Sequence, residues 1–112
     1  MKINSEAILD SLIESGHIYL GKIDSDVVYD AKTACILCIR HQLDFIDHSG
    51  SFLVLQRALF EECKNTELEF FLWGGLLSIY MPVGFFGKDT IHEGDTSRES
   101  FILAYQKVVG IE

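Results

Sequence analysis

Capping signals and apolar periodicity predict an all-α protein, a compact bundle of about five helices around a buried central helix, forming one globular domain across residues 1–112. Three observations carry that reading. Small polar residues stand where helix N-caps belong, and at Thr66/Glu69 and Thr96/Glu99 a glutamate follows three positions on to complete a capping box. Gly16, Gly50 and Gly110 stand where helices stop. The run Ala34-Cys35-Ile36-Leu37-Cys38-Ile39 is apolar on every face, as expected of a helix surrounded by protein.

The elements follow in order. Asn4 caps a first helix over about residues 5 to 15, with Ile3 and Ile8 at the positions of a hydrophobic staple. Asp24 caps a second, with Ile23 and Val28 as its staple pair; it carries the apolar run and passes Asp47 before Gly50. Ser51 opens a third, with Phe52, Leu55, Leu59 and Cys63 on one stripe and Asn65 as its stop. Thr66 opens a fourth that reaches Met81 ahead of Pro82 and places Trp73 in the core among Phe70, Leu72, Leu76 and Leu77. Thr96 caps the last, which bears Phe101, Tyr105 and Val108 and ends at Gly110. The alternative is α+β, with 17–23 and 84–91 as two short strands of one hairpin.

The chain of 112 residues is 48% hydrophobic and 12% aromatic, enough to bury a core and far from the composition of a disordered acidic tail. Residues 70–87, FFLWGGLLSIYMPVGFFG, are uncharged, but Gly74, Gly75 and Pro82 leave a helix too short to span a bilayer, so no membrane association is expected. The opening Met1-Lys2-Ile3-Asn4-Ser5-Glu6 turns acidic before any apolar signal core can begin, which points to the cytoplasm. Cys35, Cys38 and Cys63 cannot all pair and sit among apolar neighbours, where thiols act as small hydrophobes.

Two groupings have metal-ligand chemistry. Cys35, Cys38 and His41, with Cys63 from another helix, are zinc-ligand types, but a site inside the most apolar helix is unlike a zinc knuckle. His41, Asp44 and His48 share one helical face at i, i+3 and i+7, the arrangement a metal-dependent hydrolase would use. A solvated polar face is the simpler account of both, and no nucleophile, base and oxyanion arrangement accompanies them. The expectation is a protein that is not an enzyme and carries no cofactor or metal.

Charge is the strongest functional signal. Seventeen Asp and Glu stand against nine Lys and Arg, a net −8, which disfavours direct nucleic-acid binding. Residues 1–30 hold Glu6, Asp10, Glu14, Asp24, Asp26 and Asp30 against Lys2 and Lys22 alone. Glu6, Asp10 and Glu14 recur at i, i+4 and i+8 of the first helix, where like charges repel by a few tenths of a kcal/mol per pair. Asp89, Glu93 and Asp95 form a second acidic group in an expected loop. Together these nine carboxylates are the candidate partner-binding residues, with Tyr19, Tyr29 or Phe86 as apolar anchors.

In size, acidity and lack of catalytic motifs the chain resembles the small immunity proteins that bacteria keep beside toxins, such as those of colicin nucleases and contact-dependent growth inhibition systems. The resemblance is one of type. It implies a nuclease inhibitor that acts by protein–protein interaction: its acid covers the basic, phosphate-binding surface of a nuclease toxin and excludes the nucleic acid. A regulatory or structural subunit whose apolar 70–87 segment packs against a second chain is the other non-enzymatic reading.

Overall fold

The computed structural model describes residues 2–39 and 48–112. Among them the fold is α+β rather than all-α, with three helices and two three-stranded antiparallel sheets. The elements run α1 (Ser5–Glu14), β1 (Ile18–Leu20), β2 (Val27–Asp30), β3 (Ile36–Ile39), α2 (Ser49–Asn65), β4 (Glu69–Trp73), β5 (Leu76–Val83), β6 (Gly87–Asp95) and α3 (Arg98–Val109). The chain forms two compact units, Asn4–Ala58 and Leu59–Glu112 with Lys2 and Ile3.

In the first unit, α1 forms where its cap predicts. Asn4 Oδ1 accepts from Ala7 N at 3.1 Å, Ile8, Leu9 and Leu12 are buried, and Gly16 takes the left-handed turn at φ +78°. Over residues 24–39 the expected central helix is absent, and the rest of its expected span, residues 40–47, lies outside the described residues. Its place is taken by β2 and β3, in a sheet of order β1-β2-β3. The β-branched and aromatic residues Val27, Val28 and Tyr29 favour a strand, and Asp30 breaks any helix by folding the chain back on itself. Asp30 Oδ1 accepts from Lys32 N at 2.9 Å, Oδ2 accepts from Thr33 Oγ1 at 3.0 Å, and Ala34 N donates to Asp30 O at 2.8 Å, with Ala34 at φ 60°. Asp30 is thus a turn residue inside what periodicity reads as a helix. Arg57 of α2 anchors the same carboxylate, Nη2 to Oδ1 at 2.6 Å.

Helix α2 carries Leu55, Leu59 and Cys63 to buried positions as its stripe predicts, with Val54 and Ala58 beside them. It ends at Asn65; Thr66 Oγ1 donates back to Glu62 O at 2.6 Å and Glu67 turns left-handed at φ 58°. Thr66 therefore closes a helix instead of opening one.

The second unit replaces the expected fourth helix with a hairpin. Trp73 pairs with Leu76 across a two-residue turn in which Gly74 and Gly75 have φ +55° and +82°, the double left-handed backbone of a type I′ turn. Strand β5 continues into β6 through Gly84, giving the order β4-β5-β6. Pro82 is tolerated because β4 reaches only Tyr80, so β5 has a single neighbour at that point. Segments 17–23 and 84–91 both contribute strands, β1 and β6, but in different sheets rather than in one hairpin. Helix α3 packs on β5 and β6. Its cap is Ser97, one residue beyond Thr96, with Oγ accepting from Ser100 N at 3.2 Å. Leu77, Ile79, Phe101, Ile102, Ala104 and Tyr105 are buried, and the buried amide of Gln106 donates to Lys2 O at 3.0 Å. No described helix is long and apolar enough to cross a membrane.

Candidate partner-binding surfaces

Pairing register sorts the second sheet into two faces, because directly opposed residues point the same way. Phe70, Ile79 and His92 form one row, Leu72, Leu77 and Gly94 another, and the buried Ile79, Leu77 and His92 mark this as the inner face. The outer face holds the alternate rows: Phe71, Ser78 and Glu93; Trp73, Leu76 and Asp95. Trp73 is 74% exposed and Phe71 45%, and their rings stack at 6.5 Å with planes 16° apart. Trp73, read from its apolar neighbours as a core residue, is a surface residue. Glu93 and Asp95 are exposed two strands away, about 10 Å across the sheet. Asp95 Oδ1 accepts from Ser97 N at 3.1 Å, and the bonds from Ser97 hold its carboxyl below the usual range, so it is a firm anion. Glu69 opens the aromatic column on β4. An exposed aromatic column and an exposed acidic column thus share one face of the sheet, with the buried Ser78 and the exposed Leu76 between them.

Beyond the end of β4 the β5–β6 hairpin runs on as an arm whose residues 81–90 are all exposed. Phe85 and Phe86 at its tip are 99% and 101% exposed, Lys88 Nζ lies 5.2 Å from the Tyr80 ring centroid, and Asp89 follows.

The first unit has its own aromatic surface. Tyr19 and Tyr29 oppose one another on β1 and β2 and stack at 5.1 Å with planes 8° apart. With Gly21, Lys22, Ile23 and Asp24 they line a cleft of about 450 Å³, which brings three sequence-predicted residues into one place. Asp24 Oδ1 accepts from Asp26 N at 3.0 Å, and Asp26 is half-buried. Glu6, Asp10 and Glu14 are exposed along α1. Asp30 is different: buried, with Arg57 and local donors drawing its pKa down to about 2, it is spent inside the fold.

A polar cluster lies where β6 meets α3, with His92 and Ser100 buried and Lys107 reaching in from an exposed position. His92 Nε2 and Ser100 Oγ are 2.9 Å apart, and Lys107 Nζ is 3.0 Å from His92 Nδ1. Lysine only donates, so Nδ1 accepts and Nε2 carries the ring proton toward Ser100. That polarity is the reverse of a nucleophile-activating pair, in which the imidazole presents a lone pair to the hydroxyl. Burial, together with the Lys107 charge and against the Asp95 charge, keeps the His92 pKa below its ordinary value. Gly94 makes the cluster possible: a Cβ there would lie 2.7 Å from Ser100 Oγ.

Of the metal-ligand groupings, Cys35 is exposed and Cys38 and Cys63 are buried, with burial raising the Cys63 thiol to about 11 and also raising that of Cys38. His41 and Asp44 lie outside the described residues, and His48 immediately precedes α2. Among the described residues no group of three His, Cys, Asp or Glu could hold a metal ion.

The outer face of the second sheet was legible only through its turn. Gly74-Gly75 between two apolar runs is a hairpin signal, and it alone converts a helix period into strand alternation that turns Trp73 outward. No family model, curated protein or solved structure matches the chain.

Proposed function

We propose that the protein is an acidic, non-catalytic binding protein of the immunity type, which captures a basic nuclease toxin and blocks the toxin's nucleic-acid surface. The observation that carries the reading is the outer face of β4–β6, where the exposed Phe71 and Trp73 on β4 share a face with Glu93 and Asp95 on β6. Each half has a distinct job. Exposed large aromatics supply the desolvated contact area that dominates affinity at protein interfaces. Carboxylates offer lysines and arginines the charge they would otherwise find on phosphate, and the net −8 steers the encounter. Nucleic acid itself is a poor occupant, because aromatic stacking there would bring phosphates toward Glu93 and Asp95.

The test is inhibition of a basic nuclease toxin, sought first as the product of the neighbouring gene. Titration of the protein should abolish cleavage at stoichiometric amounts, and the double variant Trp73→Ala, Glu93→Lys should need a large excess. Undiminished cleavage with excess wild-type protein would contradict the reading.

A further inference from the structure

We propose that the outer face of β4–β6 is an arginine-reading surface: Trp73 and Phe71 form a stacking platform for guanidinium groups, and Glu93 and Asp95 take the neighbouring basic side chains of the same segment. The inference rests on the proposed capture of a basic partner and adds which cation the site selects.

Geometry supplies the argument. The two rings lie nearly parallel along one edge strand, 6.5 Å between centroids, and both are open to solvent, Trp73 the more so, which leaves aromatic surface for a flat cation. A guanidinium is planar and weakly hydrated and lies flat on such a surface, whereas an ammonium holds its water more tightly and gains less. The acidic column stands two strands away, across Leu76 and Ser78. That separation, about 10 Å, exceeds the reach of one guanidinium that is already stacked. The occupant is therefore an extended segment with at least two basic side chains, one stacked on the rings and one paired with the carboxylates, where arginine can bond in bidentate fashion. Charge complementarity favours this occupant over a second copy of the chain, which would bring Glu93 and Asp95 against like charge.

The experiment uses two synthetic peptides of equal length and charge, one alternating arginine with glycine and one alternating lysine with glycine. Trp73 is the single tryptophan, so its emission reports on the site directly. At low salt the arginine peptide should change that emission and bind about fivefold more tightly than the lysine peptide. Trp73→Leu, followed with a dye-labelled peptide, should shrink the preference while leaving weak, salt-sensitive binding of both; circular dichroism checks that the variant is folded. Equal affinity of the wild-type protein for the two peptides, or an arginine preference undiminished in Trp73→Leu, would overturn the arginine reading and leave capture of a basic partner standing. Absence of binding by either peptide would count against both. A Trp73-dependent dimer in sedimentation would assign the face to self-association and also overturn the proposal.

Discussion

Single residues separate the parts of this protein that hold the fold from those that face outward. Trp73 is the sharpest case: with 74% of it exposed, Trp73→Ala should change chemical-unfolding stability by less than about 1 kcal/mol, against the 3–5 kcal/mol typical of a buried aromatic. Asp30 is the opposite case. Removing its carboxylate strips Arg57, Lys32 and Thr33 of their acceptor, and Asp30→Ala should cost about 3 kcal/mol in a urea titration. Because its folded pKa is about 2, below the ordinary carboxylate value, the stability it adds is complete above pH 4 and is lost as pH falls toward 2. His92 acts in the same direction at higher pH. Its folded pKa lies below the unfolded value of about 6.5, so the unfolded chain takes up the proton first and stability falls as pH drops below that value. Unfolding midpoints measured at neutral and mildly acidic pH should therefore show a decline that His92→Gln flattens. Gly94→Ala, which drives a methyl to 2.7 Å from Ser100 Oγ, should destabilise by about 1–3 kcal/mol.

At the scale of elements, helices with both a cap and a stripe were legible, and segments whose identity depends on a turn were not. Asn4 and Gly16 bracket α1, and the Leu55, Leu59, Cys63 stripe forms α2, because local chemistry and burial agree there. The apolar Ala34–Ile39 run, read as a buried helix, forms a strand with Ile36 and Ile39 exposed, and the decision rests with Asp30, whose hydrogen bonds close a turn that no apolar period reveals. The same holds for 66–81, where Gly74-Gly75 sets a two-residue turn and moves Trp73 from an expected core to the surface. Of the acidic candidates, α1 presents its three as expected, Asp89, Glu93 and Asp95 lie on a strand instead of a loop, and Asp30 is internal. The hairpin account is testable on its own. Gly74→Ala and Gly75→Ala place a Cβ on left-handed backbone and should each cost about 1–2 kcal/mol. Phe85→Ala at the solvent-exposed tip should leave stability within about 0.5 kcal/mol of wild type.

For the whole molecule, the proposed function divides the work of capture between charge and contact area. Glu6, Asp10 and Glu14 are exposed along α1 and add to the long-range field of a −8 protein, the role the proposed function gives them. Neutralising them as Gln, Asn and Gln should slow association with a basic partner at low salt and flatten its salt dependence, while stopped-flow dissociation rates stay unchanged. Changes at Phe71 or Trp73 should do the reverse and speed dissociation. The most direct measurement is fluorine NMR of protein whose single tryptophan, Trp73, is replaced by 5-fluorotryptophan, recorded during titration with a basic nuclease toxin that the protein inhibits. Capture through the outer face of β4–β6 predicts that the one resonance shifts to a new position and is fully converted at stoichiometric nuclease. A complex that forms while this resonance stays in place would contradict it.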